Sequence, residues 1–268
     1  MKNSLKYIKK LLKVLIWPII FIIGQFFINY IFVAIFNSKE QGSLSNNEFL
    51  EYIKTIEYKD KLTNYINSNT LLIIFITSII FIPIFYKVFK KYKVNNEFKV
   101  KNIIEPILLG IAISLIYNIT MFNLNNLIYF TNNYKLSSVP VIVQIISSGI
   151  FGPILEELVF RGIVYNKLKE FNKPIISIIL TSLIFALFHT NLVNAIYAFG
   201  VSFMFIYLYE KYKTLIGPII MHMSLNITII LMLKFIIKNY LIFNLYLLII
   251  SIIVLLIIKR VYINDKCK

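Results

Sequence analysis

Apolar stretches long enough to cross a lipid bilayer recur along the whole chain, and this repetition limits the fold more than any other feature. The hydrocarbon core of a bilayer takes about 20 consecutive apolar residues of helix. Because 59% of the 268 residues are hydrophobic, a water-soluble domain could not bury this surface. The sequence therefore predicts an all-α polytopic membrane protein of about eight transmembrane helices, forming a single membrane domain over residues 1–268. The eight runs cover residues 14–36, 70–86, 103–122, 140–165, 174–190, 192–209, 214–233 and 241–258.

The strongly basic balance of the chain, a formal net charge of +16, follows from where its lysines lie. With the N-terminus inside, twenty of the 28 basic residues fall in cytoplasmic segments, seven fall in outer segments and Arg161 lies within a run. Lys and Arg concentrate in the cytoplasmic loops of membrane proteins. The bias predicts that both termini are cytoplasmic, and it explains the charge without nucleic acid as a partner. Usage rich in Lys, Ile and Asn is typical of AT-rich bacterial genomes, so we expect a bacterial cytoplasmic membrane.

One sizeable polar segment interrupts the apolar runs, at residues 37–69. Its charges alternate in sign (EFLEYIKTIEYKDKL), which favours an extracellular helix lying on the membrane surface. Prolines, by contrast, fall in or beside the runs. Pro153 cannot bond to the Gly149 carbonyl, so we expect a bend in the helix just before Glu156.

Two adjacent carboxylates and a guanidinium lie inside the fourth run, in the stretch FGPILEELVFRG. Each charged side chain at the centre of a membrane helix costs about 2.5–3.5 kcal/mol on insertion scales, so such groups pair or meet water and are usually functional. Glu157 and Arg161 are four residues apart and share a helix face, which favours an ion pair. Glu156 is rotated about 100° from Glu157 and points elsewhere.

Both histidines of the chain, His189 and His222, also lie in or at the end of apolar runs. A helical hairpin turning between Asn172 and Lys173 would bring Glu156 and His189 to about the same depth. Asn226 follows His222 by four residues and shares its face, in a helix otherwise apolar. We therefore expect the four side chains to converge from three helices.

These groups permit hydrolysis. A carboxylate beside an imidazole can hold and deprotonate a water, while a second imidazole and an amide can donate to an oxyanion. The same residues could bind zinc through Glu156, His189 and His222, with one open position. Two alternatives remain open: a proton-coupled transporter in which Glu156 and the histidines relay protons, and a non-catalytic immunity protein that binds a bacteriocin.

Three motifs occur in order: EELVFR from Glu156, FALFH ending at His189, and HMSLN from His222. They match the patterns EExxxR, FxxxH and HxxxN, and the region that carries them spans residues 140–233. This region resembles the CPBP family of intramembrane proteases, which includes the CAAX prenyl endopeptidases and the bacteriocin-processing or Abi proteins. The resemblance implies that 140–233 is a catalytic helical core.

The resemblance also implies an endopeptidase acting on membrane-associated peptides or proteins. Glu156 and His189 would activate water, and His222 and Asn226 would stabilise the oxyanion. The site would be supported by Glu157, Arg161 and Phe185. Glu157 would also take some direct part in catalysis. The family is often labelled metalloprotease, yet a glutamate mechanism without an obligatory metal fits its relatives better. Bacteria commonly lack prenylated proteins, so we do not expect a CAAX substrate. The resemblance predicts neither substrate identity nor oligomeric state.

Overall fold

A computed structural model describes residues 2–92, 97–124, 139–189, 192–236 and 249–252. The described residues form helices and connecting turns without a β-strand. We number the main helices in chain order: α1 Lys2–Gln41, α2 Asn46–Tyr52, α3 Ile56–Phe89, α4 Ile104–Leu124, α5 Val141–Lys169, α6 Pro174–Leu187, α7 Leu192–Tyr212 and α8 Ile216–Ile236.

The predicted class, an all-α polytopic membrane protein, is confirmed. Within the described residues, five helices are long and apolar enough to cross a membrane, and two shorter apolar helices accompany them. These seven correspond to the first seven predicted runs. The eighth run, 241–258, lies outside the described residues apart from helical residues 249–252, so the count of eight stays a prediction. The five long helices are Leu5–Gln41, Ile56–Phe89, Val100–Asn118, Val141–Lys169 and Leu192–Tyr212.

The surface helix predicted over residues 37–69 is wrong. α1 continues to Gln41, α2 forms a short capped helix, and α3 already begins at Ile56. The charges alternate because α3 projects past the apolar zone, where Lys61 pairs with Glu57 at 2.8 Å. The inner face of this extension is aromatic, and Phe36 of α1 packs against Tyr65 with ring centroids 5.0 Å apart. Aromatic packing between α1 and α3 therefore replaces a separate surface helix.

α5 lies at the centre of the bundle. It contacts α1 and α3 on one side and α6, α7 and α8 on the other. Its segment from Leu158 to Tyr165 is completely buried, and Arg161 is included in it. The charges of Glu157 and Arg161 are therefore surrounded by protein rather than by lipid.

α8 is held most extensively against α4. The contact depends on Gly110 of α4, because a Cβ there would come within 2.9 Å of the Leu225 backbone nitrogen. Ser224 of α8 donates a hydrogen bond to the Ile107 carbonyl at 3.0 Å. This close approach sets the position of the α8 turns that carry His222 and Asn226.

Candidate active site

Two wide, π-helical segments shape α5, at Ile145–Phe151 and Leu158–Tyr165. At the first, the Gly152 N–H donates to the Ser147 carbonyl five residues back. Pro153 follows and has no N–H to donate, which is consistent with the disturbance predicted there. A regular α-helical stretch, Gly152–Glu157, joins the two wide segments and ends with the paired carboxylates. Wide turns of this kind are frequent at functional sites.

The predicted ion pair between Glu157 and Arg161 is present. Both side chains are fully buried, and Arg161 Nη1 donates to Glu157 Oε1 at 3.0 Å. Arg161 Nη2 donates to the Ser202 hydroxyl of α7 at 2.8 Å. The guanidinium also lies between two aromatic faces, 4.4 Å from the Phe185 ring centroid and 4.7 Å from that of Phe205. A carboxylate, a hydroxyl and two ring faces thus compensate this buried cation.

Glu157 holds a second partner through the same oxygen. His222 Nδ1 lies 2.8 Å from Glu157 Oε1, and its ring stacks on Phe205 at 4.7 Å. A carboxylate oxygen paired with a guanidinium can only accept, so Nδ1 carries the proton. Nε2 of His222 is thereby turned to Glu156 Oε2, 3.9 Å away. The geometry is that of an imidazole oriented by a buried carboxylate.

Glu156 differs sharply from its neighbour. Its side chain is 31% exposed, and among the described residues it makes no hydrogen bond. It lines a cavity of about 110 Å³ that also includes Gln25 of α1, Ser148 and Asn226. A carboxylate with free lone pairs in a small polar cavity is suited to hold a water molecule.

His189 lies just beyond the C-terminal end of α6 rather than within the helix. Its Nδ1 is 3.1 Å from the Phe185 carbonyl, which can only accept, so this nitrogen is also the protonated one. His189 lines a second cavity of about 170 Å³ together with His222 and Asn226. The structure places neither a hydrogen bond nor an ion pair between His189 and Glu156, and the imidazole nearest Glu156 belongs to His222.

Asn226 connects the two cavities, since its side chain lines both. Its amide donates to the Ser148 carbonyl at 2.8 Å, in the first wide segment of α5. This bond supplies the partner that an amide in an apolar helix requires. One amide hydrogen remains for a ligand at the junction of the cavities.

The three residues that could bind zinc do not form a metal-binding group as they are arranged. Within the described part of the chain, no three His, Cys, Asp or Glu side chains form a group able to hold a metal ion. Glu156 lines a different cavity from His189, so two of the three possible ligands are not directed at a common point.

The chain resembles known proteins in the region that carries these side chains. The family model described as type II CAAX prenyl endopeptidase Rce1-like matches residues 138–228. The candidate membrane peptidase YdiL of Bacillus subtilis (strain 168) is 33% identical over 106 residues, which is 40% of this chain and 43% of YdiL. The membrane-embedded CAAX protease MroQ of Staphylococcus aureus (strain USA300) is 33% identical over 171 residues, which is 58% of this chain and 68% of MroQ.

The chain belongs to the CPBP family of intramembrane proteases. The matched region of this CPBP chain includes every candidate site residue from Glu156 to Asn226. α1 and α3, which wall the Glu156 cavity, lie outside that region. The match covers less than half the length of YdiL. No solved structure matches the chain.

Three contributors to the CPBP site were not predicted. Ser202 and Phe205 of α7 support Arg161 and His222, and Gln25 of α1 faces the cavity of Glu156. Ser202 and Gln25 each carried a signal, because a polar side chain inside an apolar run needs a partner or a function. Phe205 carried none, since it is one of 23 phenylalanines.

Proposed function

We propose that this chain is an endopeptidase that hydrolyses peptide bonds of membrane-associated peptides or proteins. One observation carries the proposal: Glu156 has no hydrogen-bond partner among the described residues and lies 3.9 Å from Nε2 of an imidazole that a second, buried carboxylate orients. Family membership supports the same activity.

Glu156 acts as the general base in this mechanism. A water held in its cavity gives a proton to the carboxylate as the oxygen attacks the peptide carbonyl carbon. His189 contributes from the neighbouring cavity, because its protonated Nδ1 leaves Nε2 as an acceptor for a water near Asn226, which lines both cavities. Glu156 then returns the proton to the leaving nitrogen as the C–N bond breaks.

His222 and Asn226 stabilise the negative charge that develops on the carbonyl oxygen. Asn226 donates its remaining amide hydrogen from the junction of the two cavities. His222 is held by Glu157 through Nδ1 and presents Nε2 to the site, where this nitrogen donates to the oxyanion when it carries a proton. Donors aimed at an oxyanion in a site that excludes water commonly contribute about 2.7–4 kcal/mol each.

The second cavity supports a preference for an apolar side chain beside the scissile bond. Four aromatic side chains line its wall together with aliphatic residues, namely Tyr117, Phe185, Tyr197 and Phe205. Its volume of about 170 Å³ suits one bulky side chain rather than a long lipid group. We therefore propose substrates with a large aliphatic or aromatic residue at the cleaved bond.

Comparative peptidomics tests the function. Cells producing the wild-type protein or Glu156→Ala are compared for peptides released from membranes. Glu51→Ala is the matched control, because this exposed glutamate of α2 pairs, among the described residues, only with Lys54 on the surface. We expect a set of peptides that depends on Glu156 and persists in the Glu51 variant.

Two results would contradict the proposal. Identical peptide sets from wild type and Glu156→Ala would exclude Glu156 as the base. Bacteriocin protection that survives Glu156→Ala, without any change in peptides, would favour a non-catalytic immunity protein instead.

A further inference from the structure

A basic cavity lies at the end of the molecule opposite α2, between α1 and the C-terminal end of α5. Its volume is about 280 Å³, larger than either cavity at the candidate active site. Three lysines, Lys10, Lys13 and Lys167, line it together with one acidic side chain, Glu170. The walls thus carry a formal excess of two positive charges.

The lysines are not neutralised by the protein. Within the described residues, none of the three forms an ion pair. Lys10 Nζ lies over the Phe171 ring at 5.2 Å, and Lys167 Nζ lies over the Trp17 ring at 5.7 Å. Glu170 interacts instead with Tyr92. Burial of Tyr92 and the nearby Glu170 carboxylate raise the pKa of Tyr92 to about 12. Ring contacts steady two ammonium groups around the cavity without supplying a counter-charge.

The surroundings are those of a membrane interface. Val14 and Phe171 give the cavity an apolar wall, and the lysine bias assigns this end of the molecule to the cytoplasm. Basic pockets between transmembrane helices on the cytoplasmic side bind anionic lipid head groups. Lysine is a common ligand for phosphate, to which it presents a compact charge.

We propose that this cavity binds a phosphate group, and that its occupant is the head group of an anionic phospholipid. The site lies between two parts of the fold that also contact each other directly, through the two lysine–ring contacts and a hydrogen bond from the Tyr7 hydroxyl to Asn172 Oδ1 at 2.9 Å. A bound phosphate adds an electrostatic bridge from α1 to α5.

The same face of α1 reaches the candidate active site. Lys10 and Val14 line the basic cavity, and Phe21 and Gln25 line the cavity of Glu156. Intervals of four, seven and four residues keep these side chains on one stripe of the helix. A lipid that holds the cytoplasmic end of α1 therefore also steadies the wall that faces Glu156.

Fluorescence of the single tryptophan, Trp17, tests the proposal. The full-length protein is placed in nanodiscs of phosphatidylcholine that contain a small, equal fraction of brominated phosphatidylglycerol or brominated phosphatidylcholine. We expect the brominated anionic lipid to quench Trp17 more strongly at the same mole fraction. Lys10→Gln and Lys13→Gln should each weaken this preference about fivefold, while keeping the Lys167–Trp17 contact.

The control is Lys87→Gln, which removes an exposed lysine at the end of α3 that does not line the cavity. Equal quenching by both lipids, or an equal loss of the lipid preference in the Lys87 variant, would overturn the site.

A titration with inorganic phosphate distinguishes a lipid head group from free phosphate as the occupant. Failure of millimolar phosphate to displace the brominated lipid supports a head-group site, and displacement overturns the lipid assignment in favour of free phosphate. Because the readout is binding, it can be repeated on Glu156→Gln and does not depend on the proposed peptidase activity.

Discussion

Adjacent Glu156 and Glu157 should respond in opposite ways to the same substitution. Glu157 is fully buried and one of its oxygens accepts from both Arg161 and His222. Hydrogen bonds to charged groups contribute about 1.5–3 kcal/mol each, and breaking a buried ion pair costs about 3–5 kcal/mol. Glutamine keeps an acceptor oxygen but loses the charge. Its NH₂ would also replace Oε2, which has no partner among the described residues, and would be a buried donor without an acceptor.

We therefore expect Glu157→Gln to lower the free energy of unfolding by about 3 kcal/mol. At about 2–4 °C per kcal/mol, the apparent melting temperature falls by roughly 6–12 °C. Activity should fall about 10–100-fold through misorientation of His222, as for other groups that orient a site residue. This loss should appear mainly in kcat, since Glu157 does not contact the substrate.

Glu156→Gln should leave the stability almost unchanged and remove most of the activity. Its side chain is 31% exposed and makes no hydrogen bond within the described residues, so the free energy of unfolding should change by no more than about 0.5 kcal/mol. Loss of a general base lowers the rate about 10²–10⁴-fold. Both variants are measured in one detergent, by thermal unfolding and by cleavage of a peptide found by peptidomics. Equal destabilisation by the two substitutions, or full activity of either, would refute this division of roles.

Three further predictions concern the surroundings of the site. Gly110→Ala should lower the melting temperature and reduce cleavage at least tenfold, because the added Cβ meets the α8 backbone beside His222. Gly200→Ala is the matched control, since a Cβ at Gly200 meets nothing within 4 Å. Ser202→Ala should lower the free energy of unfolding by about 1–3 kcal/mol, because Arg161 Nη2 loses its acceptor, and thermal unfolding would show this. A peptide assay should show that the cleavage rate stays within tenfold of wild type. Activity should persist in strong chelator, because no three-ligand group exists among the described residues; loss of activity that zinc restores would contradict this.

Local patterns predicted much of the fold and some of the candidate site. Apolar runs located five helices long enough to cross a membrane and two shorter apolar helices, and a polar stretch located the turn before Pro174. The four-residue spacing of Glu157 and Arg161 predicted their ion pair, because helical geometry alone brings such side chains together. The surface helix predicted over residues 37–69 was wrong, because the charges of this segment are equally compatible with a surface helix and with helices that project from the membrane.

Long-range contacts account for what could not be predicted. Helical rotation separates Glu156 from Glu157 in direction, but the sequence does not tell which of them meets His222, 65 residues away. Ser202, 41 residues from Arg161, likewise becomes its partner only once α7 packs against α5. Nor does spacing show that Asn226 joins two cavities, or that the nearest imidazole to Glu156 is that of His222 rather than His189.

The sequence by itself determined that the chain is a bundle of membrane helices with a few ionisable groups inside it, because apolar length and helical period are properties of neighbouring residues. Only the tertiary structure decided that Glu157 is fully buried against His222 and that Glu156 faces a cavity. That decision rests on the close contact of α8 with α4 at Gly110 and on the packing of α7 against α5. Steric fit between helices that are distant in the sequence determines both helix contacts, and the order of residues along the chain does not show that fit.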